Sequence, residues 1–363
     1  MAALNIREEE TSTIRALLLK NKTGRIPAEI LNLIYKNKLF KLFVPQEYNG
    51  LNLTVPEGIK AIEECSAIDG DFGWAICIGA GGGYFAPYFE KETAVRLFNN
   101  QNAVVAGSGN PTGTATPLNN GWIISGKWRF CSGAEYASVF TFNALEDADP
   151  DKVITFFAFP GEVSISKDWN TLGLQNTESH TIEIKEFFIT KERIFSLNEI
   201  IINFKDNIAG YPFLPFAKFS FAFVVSGILN HFLEVAAELV EPKQIIWNRY
   251  PERFIRTENL IIEYQKEHEE NRDKYFKLVS QSWQEFLILN TVTKDTEEEI
   301  ISFTTSFTKK CMDISTKVMF ELGISAQDKD SAINKIWRDL WTASQHVLLK
   351  DYNLNYPLHR LKS

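Results

Sequence analysis

The chain has little of what marks metal, disulfide-rich, nucleic-acid-binding or membrane proteins. Its four cysteines, Cys65, Cys77, Cys131 and Cys311, are scattered. None makes a Cys-x-x-Cys pair or stands beside a histidine at ligand spacing, so no metal centre and no disulfide framework is expected. They read as reduced, buried residues of a cytoplasmic protein. No run of lysine and arginine stands out, and the net charge is −8. A nucleic-acid partner needs a basic footprint to displace counterions, so none is expected. No apolar run approaches the roughly 18 residues of a membrane span. The most apolar stretch, 213–229, is interrupted by Lys218, Ser220 and Ser226. The first 22 residues are polar, without the apolar core of a signal peptide. No G-x-G-x-x-G follows a strand-like segment, so the nicotinamide fingerprint is missing too.

Phenylalanine, by contrast, is abundant: 28 copies against 3 methionines. That points to aromatic packing, either as plain core filling or around an aromatic-lined cavity. A length of 363 residues allows two or three domains.

The periodicity divides the chain into three. Residues 1–102 read as a helical domain: Ile30, Leu31, Ile34 and Tyr35 recur at helical spacing, and further helices follow Pro56, span 71–83 and span 90–98. Residues 103–200 read as a β-barrel or sandwich. Val104-Val105, Trp122 to Trp128, Val139 to Asn143, Val153 to Phe159 and Thr181 to Ile184 are strand-like, separated by Gly, Pro and Asn. Residues 201–363 read as a four-helix bundle over 214–240, 251–291, 297–323 and 331–349. The expected class is α+β.

Five segments, in order along the chain, carry a resemblance. They are Val44-Pro45-Gln46-Glu47-Tyr48-Asn49-Gly50, Gly107 to Ala115, Gly121 to Ala137 with its Trp128-Arg129-Phe130-Cys131-Ser132-Gly133 core, Trp169 to His180, and Ile336 to His346. Together they resemble the acyl-CoA dehydrogenase superfamily, and within it the two-component flavin-dependent monooxygenases (aromatic hydroxylases and dibenzothiophene monooxygenases). Asn49 departs from the superfamily's usual glycine.

The resemblance implies a flavin, as FAD or FMN, held by the central domain. Ser108 and Asn110 would reach the pyrimidine edge, Phe130 would form a wall and Ser132 would stand near N5. Trp169 would cover the ring, with Thr177 and Ser179 close by or at the phosphate. By composition alone these are ordinary turn residues.

The superfamily's dehydrogenases need a carboxylate to take an α-proton. Neither 338–346 nor 216–221 offers one, and the C-terminal motif ends instead in His346. His346 is the expected catalytic base and Ser132 the guard of the flavin–oxygen adduct. Arg338 and Asp339 lie about two helical turns upstream, on the expected face of His346, either orienting it or pairing structurally. His231, His268 and His359 read as bland, and His180 as solvated.

The expected activity is that of an oxygenase component acting on a hydrophobic or aromatic small molecule. It would use flavin reduced by a separate reductase, and the resemblance implies a homotetramer. Two alternatives remain: an FAD-dependent acyl-CoA dehydrogenase with a relocated base, and a flavin-binding protein without catalysis.

Overall fold

The computed structural model of the chain describes residues 6–204 and 208–350. Five helices open it: α1 (Glu8–Lys20), α2 (Ala28–Lys36), α3 (Val55–Ile68), α4 (Gly70–Gly81) and α5 (Lys91–Phe98). Helix α3 starts where Thr54 accepts from the Glu57 amide while the Glu57 carboxylate takes the Thr54 amide at 2.9 Å, a reciprocal capping box. Asp69 then ends α3 and caps α4 by accepting from the amides of Asp71 and Phe72. Apart from Asp71 in its first turn, helix α4 is apolar all round, the pattern of a helix enclosed by protein. Phe72, Trp74, Ala75, Ile76, Cys77 and Ala80 are all buried.

Six strands follow: β1 (Val105–Leu118), β2 (Gly121–Cys131), β3 (Val139–Glu146), β4 (Asp149–Ala158), β5 (Ser164–Ser166) and β6 (His180–Thr190). They form one sheet in the order β4-β3-β1-β2-β6-β5, rather than the closed barrel or two-sheet sandwich anticipated. The strands were legible; how they join was not, because register is set by partners distant in sequence. The β1–β3 pairing is parallel, from Val105↔Val139, and the others are antiparallel. Trp128, Phe142 and Phe156 pack at its centre. Gly107 lets β1 press on β3, since a Cβ there would lie 1.9 Å from the Thr141 carbonyl oxygen.

The remainder is helical: α6 (Phe213–Val240), a short turn α7 (Lys243–Ile246), α8 (Pro251–Leu289), α9 (Lys294–Leu322) and α10 (Ala332–Ala343). Helix α6 runs through the middle and packs on α3, α4, α8, α9 and α10. By length and composition it could cross a membrane, contrary to the sequence expectation, yet 78% of its most apolar window is buried within the protein. Phe223 stacks on Tyr275 of α8 (5.3 Å, 14°), which meets Phe303 and Phe307 of α9. One apolar core runs from the N-terminal helices into the bundle, and a second fills the sheet. All four cysteines are buried and free of disulfide bonds.

Candidate active site

A cleft of about 190 Å³ lies where the three parts meet. Its walls are the end of α4 with Phe85, the start of β1 through Ser108 and Gly109, the β3–β4 face at Thr141, Asn143 and Thr155, and the first turns of α6. Phe85, Phe195, Phe213, Phe216 and Phe221 face it. Among the described residues lining it, none is charged. The abundance of phenylalanine therefore serves both purposes considered: it fills the cores and it lines a cavity.

Starting from Trp74, whose ring lies 5.4 Å from that of cleft-lining Phe221, four side chains form a directed hydrogen-bond chain. Trp74 Nε1 donates to Ser132 Oγ at 2.9 Å. Ser132 Oγ and Ser179 Oγ are 2.7 Å apart, as are Ser179 Oγ and Thr177 Oγ1. Thr177 Oγ1 donates to the Leu174 carbonyl oxygen at 2.9 Å. Each hydroxyl has one proton. Thr177 spends its proton on Leu174, so Ser179 must donate to Thr177, and Ser132 to Ser179. Ser132, Thr177 and Ser179 are all buried, Thr177 with no exposed surface.

Phe130 stands at the opposite extreme. It breaks the β2–β6 register with φ +64°, and its ring is 61% exposed. Left-handed backbone at a bulky residue costs about 1–3 kcal/mol and persists only when its surroundings enforce it. Here the next residues are held to the 174–179 loop: the amides of Gly133 and Ala134 donate to the carbonyls of Thr177 and Glu178. The Arg129 guanidinium lies 4.7 Å from the Phe130 ring centre and Trp169 meets it edge-on at 6.1 Å. Trp169 Nε1 donates to the Leu174 carbonyl as well. Ser108 lines the cleft and its Oγ accepts from the Asn110 amide, whereas Asn110 is exposed and does not line it. His180, expected to be solvated, is buried. Its Nδ1 accepts from the Trp169 amide and its Nε2 faces Glu135 at 3.4 Å.

The 169–179 loop is fastened to α10 by a buried charged hub. Lys335 Nζ lies 2.8, 3.1 and 2.6 Å from carboxylate oxygens of Asp69, Asp71 and Asp339. Asp339 also accepts from the Leu174 amide, and Asp71 from both nitrogens of Asn176. These three carboxylates could hold a metal ion by spacing, but the lysine ammonium already supplies the cation. Gly173 permits the contact: a Cβ there would sit 2.1 Å from the Arg338 carbonyl oxygen. Gly173→Ala is therefore expected to lift the loop from α10 and weaken flavin binding, measured by equilibrium dialysis; unchanged affinity would show that the docking is dispensable.

His346 does not lie on α10, which ends at Ala343, so the shared face with Arg338 and Asp339 is lost. Asp339 belongs to the lysine hub, and the Arg338 guanidinium donates to the carbonyls of Leu172 and Lys329. Both residues are structural. The imidazole stacks on Phe221 (3.7 Å, 23°) and meets Trp74 edge-on at 5.9 Å. Its Nδ1 accepts from the Leu348 amide at 3.3 Å. Burial, with a smaller contribution from the Lys218 ammonium, pushes its pKa down to about 4. At neutral pH the ring is therefore uncharged, and because Nδ1 is an acceptor the proton sits on Nε2. In this tautomer the ring presents an N–H donor at Nε2, in the uncharged form that the expected base would also need.

His231 and His268 are buried in the bundle, and burial lowers their pKa values to about 3 and 4. His359 lies outside the described residues. Trp74 and Lys335 escaped the sequence analysis. A tryptophan inside the small-residue stretch 71–83 was the available signal for the first. Lys335 four residues before Asp339 was the signal for the second; nothing marked Asp69 or Asp71 as its other partners.

No protein-family model matches the chain. The chain is 21% identical over 335 residues to indole-3-acetate monooxygenase of Acinetobacter baumannii, covering 91% of this chain and 85% of that protein. It is 23% identical over 199 residues to the flavin-dependent monooxygenase oxygenase subunit HsaA of Rhodococcus jostii, covering 54% of this chain and only half of that one. In three dimensions it resembles the HsaA monooxygenase of M. tuberculosis with a TM-score of 0.85 at 17% identity, over 96% of this chain and 93% of that one. The chain thus has the fold of the HsaA monooxygenase.

Proposed function

We propose that this chain is the oxygenase component of a two-component flavin-dependent monooxygenase of the acyl-CoA dehydrogenase superfamily. It takes flavin, as FAD or FMN, reduced by a separate reductase, and oxygenates a hydrophobic or aromatic small molecule. One observation carries the reading: a buried, oriented serine is hydrogen-bonded to Trp74, whose ring meets Phe221 in the wall of an uncharged, phenylalanine-lined cleft. A flavin ring is flat, largely apolar and edged with polar atoms, so it wants a wall and a few fixed hydrogen-bond partners. Phe130 and Trp169 fit the wall, and Ser132 Oγ retains one acceptor position for the edge. Ser108 and Asn110 stand at the start of β1, where the pyrimidine edge would lie.

When bound, the flavin supplies two electrons and activates oxygen. The chain's own contribution is exclusion and orientation. The phenylalanines keep water from the reacting centre, Ser132 holds the ring edge, and His346 offers an N–H donor toward developing negative charge. Thr177 and Ser179 act through Ser132. The dehydrogenase alternative requires a carboxylate over the substrate, and none lines the cleft among the described residues.

The test supplies photoreduced FAD or FMN, oxygen and indole as probe, with product read by mass spectrometry. Oxygenated indole is expected. Bleaching of bound FAD by an acyl-CoA, without oxygenation, would replace this reading with the dehydrogenase. In the same assay Ser132→Ala is expected to release more H₂O₂ per reductant consumed; tight coupling in the variant would remove Ser132 from that role. The bundle presents exposed Ile255, Ile262, Phe320 and Ile324, which supports the proposed homotetramer, checked by light scattering.

A further inference from the structure

The direction of the hydroxyl chain has a chemical consequence for the flavin. Ser132 Oγ accepts from Trp74 and, by the proton count above, donates to Ser179. A hydroxyl has one proton and two lone pairs, so what remains on Ser132 is a single acceptor position. Oxidised flavin presents an acceptor at N5, whereas reduced flavin carries a hydrogen there. The remaining position on Ser132 complements only the reduced form.

We infer that Thr177 is a positioning residue that makes Ser132 an acceptor and so biases the site toward reduced flavin. The inference rests on the oxygenase reading, which puts the flavin N5 edge at Ser132. The anchor is the Leu174 carbonyl, which takes hydrogen bonds from both Thr177 Oγ1 and Trp169 Nε1. A carbonyl cannot donate, so it fixes the proton on Thr177, and the order propagates through Ser179 to Ser132. Trp74 fills one lone pair of Ser132 from the other end, because an indole nitrogen can only donate, and leaves the direction of the Ser132 proton to Thr177. None of the three hydroxyl groups can turn without stranding a neighbour in a buried setting, where such a loss is expensive. Thr177 has no exposed surface, so it acts on the flavin only through the chain.

The decisive variant is Thr177→Val. Without the hydroxyl, Ser179 has no acceptor beyond itself and turns its proton onto Ser132. Ser132 then donates, which suits oxidised N5. The readout is the ratio of dissociation constants for oxidised and reduced flavin, measured anaerobically on the full chain with FAD and FMN. One exchanged hydrogen bond predicts a fall in that ratio of roughly tenfold. For a two-electron couple this equals a drop of about 30 mV in the potential of bound flavin. Thr177→Ser keeps the hydroxyl and is expected to restore the original ratio, which a merely structural role would not require. Ser179→Ala cuts the chain one step nearer, frees the Ser132 proton, and is expected to lower the ratio in the same way.

A ratio unchanged in both Thr177→Val and Ser179→Ala overturns the inference while leaving the oxygenase reading intact. If the unaltered protein binds neither redox state of either flavin, the oxygenase reading itself falls, and this inference with it.

Discussion

Lys335→Met is expected to destabilise the protein by roughly 3–5 kcal/mol, the cost of removing one partner from a buried ion pair. Lys335 Nζ touches carboxylates of Asp69, Asp71 and Asp339, all buried. Burial opposes its charge, but the three aspartates outweigh that and hold the ammonium well above the usual lysine range. Burial, reinforced by Asp71 and Asp69, pushes the Asp339 carboxyl up, against the pull of Lys335. Without the lysine, three buried carboxylates crowd one another with no ammonium to balance them. Adding Asp339→Asn to the variant is expected to recover part of the loss, because one uncompensated charge is then removed. Denaturant unfolding followed by circular dichroism measures both. A single variant within 1 kcal/mol of the parent would show that solvent reaches the hub. The same hub holds the Leu174 and Asn176 amides, so the damage should reach the flavin loop before the bundle.

His346→Ala should lower product formation by roughly 10²–10³-fold while leaving flavin binding in place, the usual cost of losing one preorganised donor. His346→Gln, which can still present an N–H, should keep more activity than alanine. The pH profile separates donor from base. With a folded pKa of about 4, the ring is already neutral at pH 6, so turnover should show no His346-dependent rise between pH 6 and 8. A rise centred near 6.5 that vanishes in the alanine variant would return His346 to the role of base. The effect on stability has a defined sign. The ring's pKa is lower folded than unfolded, so the unfolded chain takes up the proton first. The stability conferred by the neutral ring is complete above about pH 6.5 and is lost as pH falls toward 4. Protonation also ends the Leu348 amide bond to Nδ1.

Helix α10 shows where periodicity stops being informative. The apolar pattern runs from 331 to 349 without a glycine or proline to end it, and a helix was expected throughout. The chain leaves the helix after Ala343 where one neighbouring and one distant group compete for its backbone. His346 Nδ1 takes the Leu348 amide, and the buried Lys218 Nζ takes the Leu348 carbonyl oxygen at 2.7 Å. Lys218 lies 130 residues upstream on α6, which no local window contains. The altered path turns the imidazole onto Phe221. The serine at 132 stands in a motif legible in the sequence; its orientation was not legible, since Trp74 comes from one distant segment and Leu174, Thr177 and Ser179 from another.

Local patterning was enough to determine the α+β class and the succession of helices, then strands, then helices. Those features depend on side-chain periodicity and turn chemistry within a few residues, and both are written directly in the chain. Tertiary structure alone decided that the strands form one sheet, that Lys335 closes a hub of three aspartates, and that a proton order runs from Trp74 to Leu174. Each of these depends on groups far apart in sequence meeting at hydrogen-bond distance, where burial makes an unpaired polar atom costly and so selects one arrangement.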